Sequence, residues 1–257
     1  MSSDIRAHLD ERVLVVTLDR PAKRNAITAE MYAAMARAIE RARLEDEVNV
    51  VLLRGEGGNF TSGNDIGLFV SSDGAAHAES PAVPFLRAVL SLGKPMVACV
   101  RGHAVGIGAT VLLHCDYVVA SDDARLRFPF VDLGLCPEFA STLLLQRVVG
   151  RTKAAEWLLL GSQVPAAEAF LAGLVNRVMP PELAEEEALS IAKRLAAKPQ
   201  QALRATRALI RDADDESASA RVRRESAVFD GLRRSDEAQD IFKRFLGRQP
   251  EAIAARA

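Results

Sequence analysis

Charge of one sign is missing from this chain: 33 basic against 34 acidic residues leave a formal net charge of −1. Nothing in that balance attracts nucleic acid or an anionic membrane, so neither is expected as a partner. Cysteine is scarce as well. Cys99, Cys115 and Cys136 are odd in number, widely spaced and set among apolar neighbours such as Val97 and Val100, with no CxxC pair. They read as buried free thiols in a reducing compartment, not as a disulfide framework. The four histidines (His8, His77, His103 and His114) form no HExxH or paired Cys/His spacing, so no metal is expected. No apolar run reaches the roughly 18 residues of a membrane span. The start, Met1-Ser2-Ser3-Asp4, lacks the basic patch and apolar run of a signal peptide. A cytoplasmic protein is expected.

What is present is ordinary globular material: 49% hydrophobic and 26% charged residues over 257 positions, enough for a sizeable core. Short β-branched runs alternate with helical patterns through the first two-thirds. Val13–Leu18, Val48–Leu53, Met96–Val100 and Tyr117–Ala120 read as strands, and their continuous apolar character fits strands covered on both faces. Thr28 caps a helix whose apolar face carries Met31, Met35, Ala38, Ile39 and Ala42. The alternation predicts an α/β architecture. Ser71 to Ser80 turns to Ser, Gly, Asp, Ala and His and reads as a loop. Beyond Pro181 the chain carries only charged helical patterns, at Glu182–Ala197, Gln200–Arg211, Asp215–Leu232 and Asp236–Leu246.

Three segments break the local rules. Asn59 to Ile66 follows a strand and a glycine turn, and its small residues bring backbone N–H groups close to a ligand. Arg101 to Thr110 runs from a strand through Gly102, Gly106 and Gly108 into an apolar helical pattern, Ala109 to Cys115. Such a turn offers free N–H groups at the positive end of a helix and can polarise a carbonyl. Phe128 to Thr142 holds a lone Glu138 in an apolar run, where desolvation raises a carboxyl's pKa and makes it a better base near neutrality. An idle glutamate at a helix N-terminus is the other reading. His114, inside an apolar helical pattern, reads as a structural histidine with a satisfied partner, and Trp157 reads as core.

In order and spacing these segments resemble the crotonase (enoyl-CoA hydratase/isomerase) superfamily. Arg20-Pro21 with Asn25-Ala26 is similar to its RPxxxNA segment, Phe60 to Ile66 to its FxxGxD segment, and Gly102 to Gly108 to its glycine turn. Cys115-Asp116 follows as expected, and Ala167 to Asn176 resembles its AxEA…GLV segment. The resemblance implies an α/β fold, a crotonase-type spiral of ββα units at 1–180, and a helical region at 181–257. That region would pack homotrimers or homohexamers and partly cover the site. Also implied are an acyl-CoA thioester substrate, with coenzyme A part of the substrate and no separate cofactor, and an oxyanion hole from the N–H groups of Asn64 and Ile107. Lys23, Arg24, Ala26, Ser62, Asp65 and Ile66 would line the CoA site, and Phe130, Leu135, Phe139 and Thr110 the acyl pocket, with the Ser71–Pro84 loop beside it. Phe242, Lys243 and Arg244 would lie where a neighbouring subunit often covers the ligand, or simply form an amphipathic helix with a solvated basic face.

Two departures bear on the reaction. The hydratases of this family use two glutamates, and their positions here hold Thr110 and Phe130. Leu133-Gly134-Leu135-Cys136-Pro137-Glu138 resembles instead the Δ3,Δ2-enoyl-CoA isomerases that use a single glutamate. The expectation is an isomerase with Glu138 as its base. An enoyl-CoA hydratase is the nearest alternative, and a non-catalytic acyl-CoA-binding or scaffold protein the alternative of another class.

Overall fold

A computed structural model describes residues 4–70 and 80–247. The chain opens with a hairpin of β1 (Ile5–Asp10) and β2 (Val13–Leu18), then α1 (Ala29–Leu44), β3 (Val50–Gly55) and the short α2 (Gly67–Val70). After α3 (Ala82–Ser91) come β4 (Met96–Val100), β5 (His103–Val105), α4 (Ile107–Thr110), β6 (Tyr117–Ser121) and β7 (Arg125–Arg127). Next are α5 (Ser141–Val149), α6 (Arg151–Leu160), β8 (Val164–Pro165), α7 (Ala166–Leu171) and β9 (Arg177–Met179). The last helices are α8 (Ala184–Ala196), α9 (Gln200–Arg233) and α10 (Asp236–Gly247).

One sheet runs β1-β2-β3-β4-β6-β9, parallel after the opening hairpin, and a smaller sheet runs β5-β7-β8. The chain leaves β4 for β5 and β6 for β7 within a few residues, so each turn places one strand in the large sheet and the next in the small one. An isolated bridge between Thr61 and Ala104 adds the segment after β3 to the same scheme. This is the ββα spiral that the resemblance implies.

Alternation along the central strands explains why they are apolar throughout. Leu14, Val16, Val51, Leu53, Ala98 and Val118 face α1 and α3, while Val13, Val15, Val50, Leu52, Val97 and Val119 face α8. A parallel sheet covered on both sides needs no polar face. The α8 contribution is small side chains, Ala184, Ala188 and Ala192 with Ile191, which let the helix lie close. Glu185 on α8 pairs with Arg54 and with Arg101, the latter at 2.7 Å. The helix beyond 181 is therefore part of this chain's own core.

Several expectations differ from what is found. The edge strand β1 was not foreseen, because most of its side chains are exposed and its pattern carries no apolar run. The third strand begins at Val50, not Val48. The helix expected over Ala109–Cys115 is one α-turn at Ile107–Thr110 followed by a 3-10 turn at Val111–His114. The helices expected at Gln200–Arg211 and Asp215–Leu232 are one continuous 34-residue helix. Phe242 on α10 is fully buried in this chain's own hydrophobic cluster, whereas Lys243 and Arg244 are exposed. All three cysteines are free, but only Cys99 is fully buried; Cys115 and Cys136 are half-buried.

Candidate active site

Asn25 organises the first part of the site. It is fully buried, and its side chain accepts from the Arg20 N–H at 2.8 Å and donates to the carbonyls of Glu56 at 2.9 Å and Asn59 at 2.7 Å. Arg24 and Asn25 both occupy the left-handed region, at φ of 48° and 57°. These bonds hold a turn that unaided L-residues disfavour. The turn then receives the distant segment: Ser62 N–H donates to Arg24 at 2.9 Å, Ile27 N–H to Gly63 at 2.8 Å, and Asp65 N–H to Ile27 at 2.9 Å. Arg20 adds an ion pair to Asp65 at 2.9 Å. Burial raises the Asp65 pKa, but the Arg20 guanidinium and the Gly67 N–H outweigh it and hold the carboxyl below its usual value. Lys23, Arg24, Ala26, Ser62, Asp65 and Ile66 are thus gathered by backbone lacing; Lys23 and Arg24 are exposed and the other four are half-buried.

The second glycine segment docks on the first. Thr61 N–H donates to His103 at 2.9 Å and Val105 N–H to Thr61 at 3.1 Å. A methyl group on Gly63, at φ +88°, would stand 2.8 Å from the Val105 carbonyl oxygen, and one on Gly108 would stand 2.4 Å from the Thr61 methyl. Only glycine permits this approach, which sets the Gly63–Asn64 turn against the Val105–Ile107 turn. Among the described residues, neither the Asn64 nor the Ile107 N–H donates to a protein acceptor. Ile107 opens α4, where helix geometry leaves such a group without an internal partner.

Thr110 closes α4 one turn further on, fully buried, and its hydroxyl donates to Glu138 Oε1 at 3.1 Å. Glu138 is 5% exposed and is the one acidic residue in the fully buried class among the described residues. Its own carbonyl accepts from the Ser141 hydroxyl at 2.6 Å and from the Ser141 N–H at 3.1 Å. Phe130, Leu135 and Phe139 are buried in the surrounding cluster, with Leu135 N–H bonded to the Phe130 carbonyl at 2.8 Å. A groove of about 230 Å³ lies between this segment and α6, lined by Val131, Pro137, Thr142, Ala155 and Leu159 among others. None of Thr110, Phe130, Leu135 or Phe139 lines it. The part of the loop expected beside the acyl pocket that spans 71–79 lies outside the described residues.

Tyr32 was missed in the sequence. It is buried on α1, its hydroxyl donates to the Asn64 side-chain oxygen, and burial with the nearby Glu138 charge pushes its pKa well above the usual value. A tyrosine at a core position of an amphipathic helix is itself a signal, because a buried phenol normally finds a partner. Cys99 and Cys115 are poor nucleophiles: burial and Glu185 push Cys99 up to about 12, and Cys115 is raised further, chiefly by burial. Among the described residues no group of three His, Cys, Asp or Glu is placed to hold a metal ion, and no helix is long and apolar enough to cross a membrane.

A ββα spiral with two glycine turns packed together at the end of its strands defines a protein of the crotonase superfamily. More particularly, the chain belongs to the enoyl-CoA hydratase/isomerase family, whose model matches residues 8–252. It is 30% identical over 254 residues to 2,3-dehydroadipyl-CoA hydratase of Escherichia coli K12, covering 99% of this chain and 100% of that protein. It is 35% identical over 241 residues to enoyl-CoA delta isomerase 2 of Rattus norvegicus, covering 92% of this chain but only 61% of that protein. Among solved structures, Pseudomonas aeruginosa OdaA superposes with a TM-score of 0.92 at 38% identity, covering 96% of this chain and all of that one. The protein is an acyl-CoA enzyme of this family.

Proposed function

We propose that the protein is a Δ3,Δ2-enoyl-CoA isomerase with Glu138 as its single base. The observation that carries the reading is the count of fully buried carboxylates among the described residues: one, Glu138, bonded to Thr110, which with Phe130 stands where the family's hydratases have their two glutamates. A 1,3-proton shift needs only one. Glu138 takes a proton from C2 of a 3-enoyl thioester, and the C2–H electrons form the C1–C2 double bond as the thioester oxygen becomes an enolate. The enolate charge then returns to the carbonyl, the C1–C2 double bond shifts to C2–C3, and the C3–C4 π electrons take the proton from Glu138 at C4. The enolate oxygen is held by the N–H groups of Asn64 and Ile107, each such donor being worth about 2.7–4 kcal/mol in the transition state. Phe130, Leu135 and Phe139 keep water from the dienolate, and Lys23 and Arg24 meet the phosphates of coenzyme A at the exposed mouth. A cytoplasmic trimer or pair of trimers, packed through residues beyond 181, belongs to the same proposal.

Incubation with 3-enoyl-CoA tests it. Conversion to 2-enoyl-CoA at unchanged mass is expected, with turnover reduced about a thousandfold in Glu138→Gln and thioester binding retained. The alignment with the E. coli hydratase along nearly the whole chain favours a second reading, hydration with Glu138 activating water. The product of 2-enoyl-CoA would then gain the mass of one water. No turnover of either ester, with binding intact, would leave a silent acyl-CoA binder.

A further inference from the structure

Glu138 sits at the head of an unusual turn. Phe139 and Ala140, neither of them glycine, follow it with φ of 59° and 57°. Two consecutive left-handed residues of this kind persist only where their surroundings hold them. Ser141 holds the carbonyl before the turn, as described above. The carbonyl inside it, that of Phe139, lies 2.9 Å from His114 Nε2, and the His114 ring stacks on the Phe139 ring with centroids 3.8 Å apart and planes at 23°. A carbonyl only accepts, so Nε2 bears the hydrogen, and the neutral ring is the Nε2–H tautomer. Burial drives the His114 pKa down to about 4, against the effect of the Phe139 carbonyl and with that of Arg211 and Arg207, so the ring is uncharged across the neutral range.

His114 is itself anchored from the far side. Arg211 on α9 donates to the His114 carbonyl at 2.6 Å, and Arg207 pairs with Asp116, two residues on, at 2.8 Å. The imidazole therefore stands between a fixed helix and the backbone next to the base.

We propose that His114 is a positioning residue for Glu138: its Nε2–H clamps the left-handed Phe139–Ala140 turn that presents the carboxylate. This rests on the reading of Glu138 as the base. Release of the clamp lets the turn relax, and the carboxylate moves off the substrate carbon while the acyl-CoA contacts at Arg24 and Ser62 stay as they are. The loss belongs in kcat, not in KM.

Two variants separate the donor from the ring. His114→Phe keeps the stack and loses the donor; His114→Gln restores a donor at the same reach. Each is purified, its Tm measured, and its turnover of 3-enoyl-CoA (or of 2-enoyl-CoA, should the wild type prefer it) compared with wild type. The expected result is a fall in kcat of about tenfold or more in His114→Phe, KM nearly unchanged, and recovery of most of kcat in His114→Gln. Where His114→Phe is too unstable to purify, His114→Leu, which also fills the core and lacks the donor, is used. Wild-type kcat in the histidine-to-phenylalanine enzyme, or no recovery with glutamine, overturns the proposal and leaves His114 a core residue. Glu138→Gln run in parallel keeps the failures apart. Loss of turnover there, with full turnover in His114→Phe, overturns only the role of His114; wild-type turnover in Glu138→Gln overturns the base as well.

Discussion

Tyr32 shows how a single hydroxyl can matter without meeting the substrate. It donates to the Asn64 side chain, whose backbone N–H is one of the two proposed enolate donors. Tyr32→Phe removes one hydrogen bond from a buried site and leaves the Asn64 oxygen without that donor. A stability loss of about 1–2 kcal/mol is expected by denaturant titration, with kcat reduced severalfold. Glu138 stood out in the sequence as a carboxylate in an apolar run, which left an idle glutamate equally open; its expected role came from the resemblance to the isomerases, and the structure shows it buried. For Tyr32 the core position on α1 signalled a partner for the hydroxyl, but that partner lies 32 residues away and could not be named from the sequence. His114 read as a satisfied histidine, which the bond to Phe139 bears out. What it satisfies, a left-handed turn of two ordinary residues, has no sequence signature.

Between elements, the site depends on how closely two turns can approach. Gly63 combines a positive φ with a backbone contact that excludes any Cβ, so Gly63→Ala meets both penalties at once. It is expected to push the Asn64 and Ile107 amides apart, reducing kcat/KM by at least about 100-fold. Binding of coenzyme A alone, at the Lys23–Ala26 turn, should weaken much less. Isothermal titration beside steady-state kinetics separates the two effects. Strands with continuous apolar runs announced themselves in the sequence, as did the glycine turns. The edge strand β1 did not, because its exposed Arg6 and His8 give no core stripe. Nor did the join between the two halves of α9, where charged composition reads equally well as a helix or a break.

Across the whole molecule, stability links to pH through His114. Its pKa falls from an ordinary 6.5 to about 4 on folding. The stability that depends on keeping it neutral is complete above pH 6.5 and is lost as the pH falls towards 4, because the unfolded chain takes up the proton first. The loss amounts to about 3 kcal/mol. Denaturant titrations at pH 7 and pH 4.5 are expected to show a decline that is smaller in His114→Gln. The second face of the large sheet depends on α8 in the same global way. Ending the chain at residue 181 would bare Val13, Val15, Val50, Leu52 and Val97, and an insoluble product is expected in a sedimentation assay. Sequence alone showed α8 as a charged helix; that its alanines cap the sheet follows from their size and spacing only once the strands are laid out.

The central claim is that one carboxylate carries the proton from C2 to C4. It is tested most directly with 3-enoyl-CoA deuterated at C2, following the position of the label in the product. The account predicts that part of the deuterium returns to C4 in the wild-type enzyme and that Glu138→Gln forms no product at a comparable rate. Turnover by Glu138→Gln at the wild-type rate would contradict it.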